Sequence, residues 1–405
     1  DFKTKNIIII MFFVLKSLFS STTASRIFIP IYILISLVAY FSFYKVNIAV
    51  QERSLFSSAS TNFYIGFIFT SLATKLFFVV LVLFQDIGRG FIGVFEYIKQ
   101  LFSDGPPPES YMPGRRKALT LLSLGLSGIP FFGMLYGITK GKYRFQVEPV
   151  KLPFSDLPKA FNGFKIVQIS DIHAGSYDSV EQVEKGIEMI NAQEPDLVVF
   201  TGDLVNSDKN EIDPYIEVFE KIKAKHGKFA ILGNHDYYGV PRNGNQDAYW
   251  KDFFAKYEAM GFKLLNNDHH FIEKDNESIA LLGVENWGAG PWFPKRGDLD
   301  KALPISKENL FSILLSHDPT HWDQKVVDHP QHIHLTLSGH THGFQFGINI
   351  PGFKWSPAQY RYPHWLGLYE KANQFLYVNR GFGFLAFPGR VGMWPEITVI
   401  ELGSA

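Results

Sequence analysis

The sequence predicts an α-helical transmembrane domain followed by an α/β domain. Three observations carry this. Long uncharged apolar runs crowd the first third of the chain. Beyond them, short apolar strands alternate with stretches of helical period. Five of those strands lead directly into loops dense in Asp, Asn, His and Gly. An α/β fold builds its ligand sites at such places, where strands run out at the carboxyl edge of a sheet.

The bulk numbers bound the answer. A chain of 405 residues holds two or three domains. Lys+Arg and Asp+Glu both number 39, so the net charge is +0. No basic patch of the kind that binds nucleic acid stands out, and none is expected as a partner. Cysteine is absent, which removes disulfides, thiolate ligands and Cys nucleophiles together. Any metal must be held by His, Asn and carboxylate, a set suited to Mn, Fe or Zn.

Taken in order, Ile7 to Phe19 is apolar but short and carries Lys16. It reads as a span whose Lys snorkels, with a shortened or interfacial helix as the alternatives. Ile27 to Tyr44 is uncharged and of spanning length. Phe63 to Phe84 is interrupted only by Lys75, and Ala118 to Ile138 carries Pro130 as a kink. This gives three or four spans within a domain at 1–150. Between them, Ile87, Phe91, Val94, Phe95, Ile98 and Phe102 recur at helical spacing, opposite Arg89, Glu96, Lys99 and Gln100. That pattern (87–102) suits a helix lying in the headgroup layer, and equally one packed on protein. Asp104-Gly105-Pro106-Pro107-Pro108 is a stiff linker.

The composition changes between Lys140 and Pro158, so the second domain is set at 151–405. Phe164 to Ile169 reads as a strand. Ser179 with Gln182 forms a capping box, and Val180, Val183, Ile187 and Ile190 mark the buried stripe of the helix after it. Asp196 to Phe200 is a buried strand, Ile212 to Lys223 a helix, Phe229 to Leu232 a strand and Ala248 to Met260 a helix. Phe271 to Val284 reads as a hairpin turning at Asp275-Asn276. Phe311 to Leu315, His334 to Leu337, Gln374 to Val378 and Glu396 to Glu401 are further strands, and Gly403-Ser404-Ala405 reads as a cloning remnant.

The five loops carry Ser170-Asp171-Ile172-His173, Thr201-Gly202-Asp203-Leu204-Val205-Asn206, Gly233-Asn234-His235-Asp236, Ser316-His317-Asp318 and Gly339-His340-Thr341-His342-Gly343. Residues separated by one, as in Asp171/His173 and His340/His342, point to the same side of an extended segment. Glycine lets backbone and ions approach closely.

This ordered set, D-x-H, G-D-x-x-N, G-N-H-D, a later H and G-H-x-H, resembles the calcineurin-like metallophosphoesterase superfamily over Phe164 to Leu402. The resemblance implies a fold of two mixed β-sheets sandwiched by helices. It implies that Asp171, His173 and His342 hold one metal and that Asn234, His317 and His340 hold another. Asp203 would bridge them. Two such ions, about 3.5–4 Å apart, activate a shared hydroxide for in-line attack at phosphorus. His235 would protonate the leaving alkoxide. Asp236 would orient His235 or cap the following turn. Asn206 stands where purple acid phosphatases carry a metal-bound Tyr, so an all-divalent pair is expected, Mn first and Zn, Fe or Mg after it. Arg380 and Arg390 follow late strands and are candidates for a phosphate fork, with a structural salt bridge as the alternative for each.

The membrane part resembles the membrane-bound bacterial branch, which includes UDP-2,3-diacylglucosamine pyrophosphatase-type and twin-arginine-exported phosphoesterases. The bilayer would be a partner, and the substrate a phosphate ester or pyrophosphate on a lipid or lipid-linked amphiphile. Trp287, Trp292, Phe293, Trp355, Tyr360, Tyr362 and Trp365 can hold an acyl chain or sit at the interface, or pack as ordinary core. Competing expectations are a tethered phosphatase or phosphodiesterase for soluble esters or nucleotides, and a transporter or scaffold with a relic domain. Arg89, Lys99, Arg115, Arg116 and Lys117 precede the last span and place that loop in the cytoplasm, with the catalytic domain outside. Lys140, Lys142, Arg144 and Lys151 oppose this.

Overall fold

The computed structural model describes residues 22–51, 59–102, 113–291, 293–304 and 310–404. The segment 7–19, the linker 104–108 and Trp292 lie outside the described residues. Two compact units result, one made chiefly of the helices up to Tyr136 and one chiefly of the chain from Gly137 onward, to which Ser54–Asn62 is also assigned.

The first unit contains α1 (Thr22–Gln51), α2 (Ala59–Leu101), α3 (Pro113–Leu126) and the start of α4 (Gly128–Thr139). Stretches 29–51, 61–101 and 118–139 are long and apolar enough to cross a membrane. Leu34, Leu37, Phe41 and Leu83 are exposed on these helices, as lipid-facing side chains are. Lys75 is buried. Its Nζ lies 3.4 Å from Ser36 Oγ on α1 and 5.2 Å from the centroid of the Tyr32 ring. An ionisable group inside a span takes such a helix-facing position because hydrocarbon solvates it poorly. The third apolar run breaks at Ser127. Pro130 has no N–H, and its ring crowds the carbonyl of Leu126, where α3 ends. Residues 87–101 do not form a separate helix. They continue α2, whose 43 residues run unbroken to Leu101. Nothing in the sequence there breaks the i to i−4 ladder.

The second unit is built on two six-stranded mixed sheets. The first contains β1 (Gln146–Phe154), β2 (Lys165–Ile169), β3 (Leu197–Phe200), β4 (Lys228–Ala230), β5 (Phe262–Leu264) and β14 (Glu396–Ser404). Their order is β1-β14-β2-β3-β4-β5. The second contains β6 (Asp268–Lys274), β7 (Glu277–Gly283), β8 (Ser312–Leu315), β9 (Leu335–Ser338), β12 (Gly367–Lys371) and β13 (Gln374–Val378). Their order is β12-β13-β9-β8-β7-β6. A small separate ribbon pairs β10 (Ile348–Ile350) with β11 (Phe353–Trp355).

The inward faces of the two sheets share one core. Ile166, Val199 and Phe229 of the first meet Leu281, Ile313 and Leu335 of the second. Helices α5 (Val180–Asn191), α6 (Ile216–Glu220) and α7 (Gln246–Ala259) contribute to a second core with the outer face of the first sheet. Each sheet is therefore covered on both faces, so its central strands read as short continuous apolar runs. In both sheets the central parallel strands end at the metal-type loops.

Several elements differ in detail from the sequence reading. β1 was hidden by Pro149 and Pro153. Proline is tolerated because β1 is an edge strand. The boundary at 150/151 falls inside it. Pro214 turns 209–215 into a 3₁₀ segment and confines the α-helix to 216–220. The Ser179 side chain accepts from the Gln182 N–H as expected, but Val180 is exposed and the stripe begins at Val183. The hairpin turns at Asp275 and Asn276 with φ 49° and 65°, the left-handed pair a tight two-residue turn requires. β14 runs on through Gly403 and Ser404, which pair with Pro153 and Phe154.

Candidate metal centre

β2, β3, β8 and β9 lead into the loops that bring the acidic and imidazole groups together. Asp171, His173 and His342 form one cluster, and Asp203, His317 and His340 a second. His342 Nε2 lies 3.2 Å from Asp171 Oδ1 and 3.0 Å from His173 Nε2. Asp203 Oδ2 stands between the clusters, 3.1 Å from His317 Nε2 and 3.6 Å from His173 Nε2. Asn234 Oδ1 is 3.2 Å from His317 Nε2, and His340 Nδ1 is 3.3 Å from the same atom. All seven predicted ligands thus converge.

The backbone that achieves this is not extended. Asp171, His173, Asp203, His340 and His342 have φ of 52°, 48°, 62°, 72° and 51°. Asp171 and His173, and likewise His340 and His342, therefore do not converge through strand alternation. Left-handed turns at each ligand, not strand pleating, aim the side chains. Such conformations cost about 1–3 kcal/mol each in non-glycine residues and gather at functional sites. Glycines supply the remaining room. A Cβ at Gly233 would lie 2.2 Å from Asp203 Oδ1, and one at Gly339 would lie 1.9 Å from Ser170 Oγ.

A ring of further groups fixes each ligand. The His317 Nδ1–H donates to the Thr201 carbonyl at 2.7 Å, leaving Nε2 facing the cluster. Asn234 donates its amide N–H to Tyr238 Oη at 3.1 Å, which turns Oδ1 inward. His340 presents Nδ1 inward, with Nε2 at 3.0 Å from Tyr362 Oη and 3.5 Å from Asp318 Oδ2. Ligand imidazoles are commonly held this way, by a partner on the far nitrogen. Asp318 and Tyr362 were both visible in the sequence, but no spacing tied either to His340.

Three further candidates make structural contacts, Arg380 in the ion pairs that were its alternative. Asp236 neither orients the His235 ring nor caps the following turn. Its carboxylate accepts from the backbone N–H groups of Asp203, Leu204 and Gly233 at 3.0, 2.9 and 2.8 Å, binding the second and third loops together. The His235 Nδ1–H instead donates to the Asn206 carbonyl at 2.7 Å. Arg380 is buried between Glu396 and Glu148, each at 2.5 Å, and is an ion-pair residue. Arg390 is also buried. It donates to the carbonyls of Gly383, Arg380 and Met393 at 2.7, 2.8 and 3.1 Å, and its Nη2 lies 3.2 Å from His342 Nδ1. Neither presents a free fork to a phosphate. Asn206 directs its side chain to Ser176, not to the clusters.

Electrostatics favours cations here. Burial alone would raise Asp203, but the His317 and His235 imidazoles hold it well below the usual carboxylate range. Burial would likewise raise Asp171, and His342 brings it below that range. Burial pulls His173, His235 and His340 down, so they sit neutral. Burial also opposes a charge on His317, yet Asp203 and Asp171 push it up to about 10. The ionised carboxylates and the neutral imidazoles of His173 and His340 are the ligand forms a divalent ion needs, and an ion bound at His317 would displace its proton. His173 Nε2 and His342 Nε2, 3.0 Å apart in the buried site, share one hydrogen bond or turn both lone pairs toward an ion, according to tautomer. The donor set fits a pair of divalent metals.

Comparison with known proteins agrees with this geometry. Residues 164–344 match the family profile described as "Calcineurin-like phosphoesterase". Residues 6–142 match "Probable Calcineurin-like phosphoesterase, transmembrane domain". The uncharacterized metallophosphoesterase YkuE of Bacillus subtilis is 34% identical over 251 residues, covering 61% of this chain and 82% of that protein. The chain belongs to the calcineurin-like phosphoesterase family. A transmembrane protein with metallophosphoesterase domain from Danio rerio is 31% identical over 67% of this chain and 60% of its own length. The phosphodiesterase YaeI of Escherichia coli is 28% identical over 59% of this chain and 82% of its own. This calcineurin-like chain is thus a membrane-associated, metal-dependent phosphoesterase with a dinuclear divalent site. A relic domain on a transporter or scaffold does not fit it.

Proposed function

We propose that the protein hydrolyses a phosphate ester or pyrophosphate bond on a lipid or lipid-linked amphiphile. One observation carries this reading. The converging ligand set and three membrane-capable stretches occur on one chain, with only six residues between α4 and β1. A catalytic domain joined to membrane-capable segments by so short a stretch of chain suits a substrate carried by the membrane. A soluble substrate would not require that.

In this reading Asp171, His173 and His342 hold one ion, Asn234, His317 and His340 the other, and Asp203 Oδ2 serves both. When bound, such a pair supplies Lewis acidity at phosphorus and an activated nucleophile. Manganese is the proposed metal, since the donors are oxygen and imidazole with no thiolate. His235 is the proposed acid. Like His340, and unlike the other ligands, it is only partly buried, its Nδ1–H is fixed on the Asn206 carbonyl, and its ring packs edge-on to His173 at 4.9 Å. In its protonated form Nε2–H can reach a leaving oxygen. Asp236 acts at one remove, by joining the Asp203 and Gly233 loops. Tyr238 edges His235, while Phe293 and Tyr362 edge His340, giving the less buried side of the site an aromatic border.

The test is a hydrolysis screen in detergent with added Mn²⁺, comparing lipid phosphates and pyrophosphates with short soluble esters and nucleotides. Preference for the lipids supports the reading. Equal turnover of soluble esters would replace it with that of a tethered phosphodiesterase. The basic loop before the last span further supports a catalytic domain outside the cell membrane. Protease access in spheroplasts checks that side.

A further inference from the structure

The ribbon of β10 and β11 is built with its apolar face outward. Ile348 pairs with Trp355, Asn349 with Lys354 and Ile350 with Phe353. Directly paired residues share a face, and successive residues alternate. Ile348, Ile350, Phe353 and Trp355 therefore lie on one face, with Asn349 and Lys354 on the other. Lys354 reaches back onto the domain, donating to the Leu366 carbonyl at 3.0 Å and lying over the Tyr369 ring at 5.1 Å. The apolar face is left uncovered. Ile348, Ile350 and Phe353 are 45%, 57% and 54% exposed. A hairpin stabilised by water would be turned the other way up.

We propose that this face is an interfacial anchor that enters the headgroup layer of the protein's own bilayer. Three features favour lipid over a protein partner. The chain is already membrane-associated, so a lipid surface is always at hand. Trp355 and Tyr360 sit at the ribbon's base, where an aromatic border meets headgroups. No carboxylate side chain occurs between Asp328 and Glu370, while exposed Arg361 offers positive charge to anionic lipid. The ribbon is also bolted to the metal loops. Ser356 Oγ donates to the Gly343 carbonyl at 2.6 Å, Thr341 Oγ1 to the Trp365 carbonyl at 2.8 Å, and Tyr362 meets His340. Seating the ribbon in lipid would set the height of His340 and His342 above the surface. The inference rests on membrane association and is independent of the substrate's chemistry.

The absence of native cysteine permits a clean test. The full chain carrying Ile350→Cys is spin-labelled and placed in nanodiscs of phosphatidylcholine with phosphatidylglycerol. Collision with oxygen and with a water-soluble nickel chelate is measured, with Lys185→Cys as the solvent-exposed control. Retained hydrolysis of a soluble p-nitrophenyl diester confirms folding. The expected result is a severalfold higher oxygen-to-nickel ratio at 350 than at 185. Equal ratios put the ribbon in water and overturn the proposal. A label shielded from both reagents shows a protein cover and overturns it as well. No substrate enters the collision measurement, so failure of the lipid-substrate reading leaves its result untouched.

Discussion

Asp318 places its Oδ2 3.5 Å from the Nε2 of His340, on the far side of that ring from the ligand cluster. Its other oxygen is pinned by the Thr320 N–H at 2.9 Å and the Thr320 hydroxyl at 2.7 Å. Tyr362 Oη, 3.0 Å from Nε2, holds the ring, and the carboxylate charge beside it makes the inward nitrogen more basic. Asp318→Asn should weaken retention of the ion held by His340 by roughly 10–100-fold. Competition with a graded series of chelators reads this directly. Unchanged metal affinity would remove that role.

Asp203 and His235 should separate metal binding from proton transfer. Asp203→Ala is expected to lose both metal and turnover, because its Oδ2 faces both clusters. His235→Ala should keep its metal. For alkyl leaving groups its turnover should fall roughly 10²–10⁴-fold, the usual contribution of a positioned acid. For p-nitrophenolate, which leaves without a proton, the loss should be slight. Elemental analysis with the two substrate series checks both, and full metal content in Asp203→Ala would contradict the bridging role.

Arg380 should behave as a structural residue. Its guanidinium holds Glu396, which is buried and also accepts from Tyr377 Oη at 2.7 Å. Arg380→Met would strand that carboxylate, and breaking one side of a buried pair costs about 3–5 kcal/mol. Tm should fall while KM of the folded protein stays the same. A raised KM at unchanged Tm would restore it as a substrate contact.

How much of this was legible in the sequence depends on what each feature rests on. The spans and central strands were readable because burial imposes continuous apolar runs. The seven candidate ligands were readable because each sits in a short motif following such a strand. The left-handed backbone at Asp171 or His340 was not, because neither residue type demands it and only the assembled loops enforce it. Arg380 and Arg390 looked like phosphate ligands because a guanidinium after a strand gives no sign of which carboxylates or carbonyls the fold brings to it. Glu148, on the strand that two prolines concealed, is one of those partners. The outward face of the ribbon was likewise hidden, since alternation reports that a strand has two faces and not which one meets the domain.

His321 gives a pH-dependent prediction away from the ligands. It is buried, its Nδ1 is 2.9 Å from Ser316 Oγ, and the Trp287 ring lies at 5.3 Å. Burial pulls its pKa down to about 4, against the opposing pull of Asp318, with Lys325 adding to the fall. In the unfolded chain it would titrate near the ordinary value of about 6.5. Below that pH the unfolded state binds a proton the fold refuses, so stability falls as pH drops. The contribution is fully present above about 6.5 and is lost progressively as pH falls through about 4. It amounts to about 3 kcal/mol at most. His321→Gln keeps a polar group for Ser316 but cannot titrate. Denaturation of the metal-free full chain in detergent should therefore show wild type losing more stability than the variant between neutral pH and pH ~4, by up to that amount. Parallel pH profiles would show that His321 is solvated in the folded protein, contrary to its packing against Trp287.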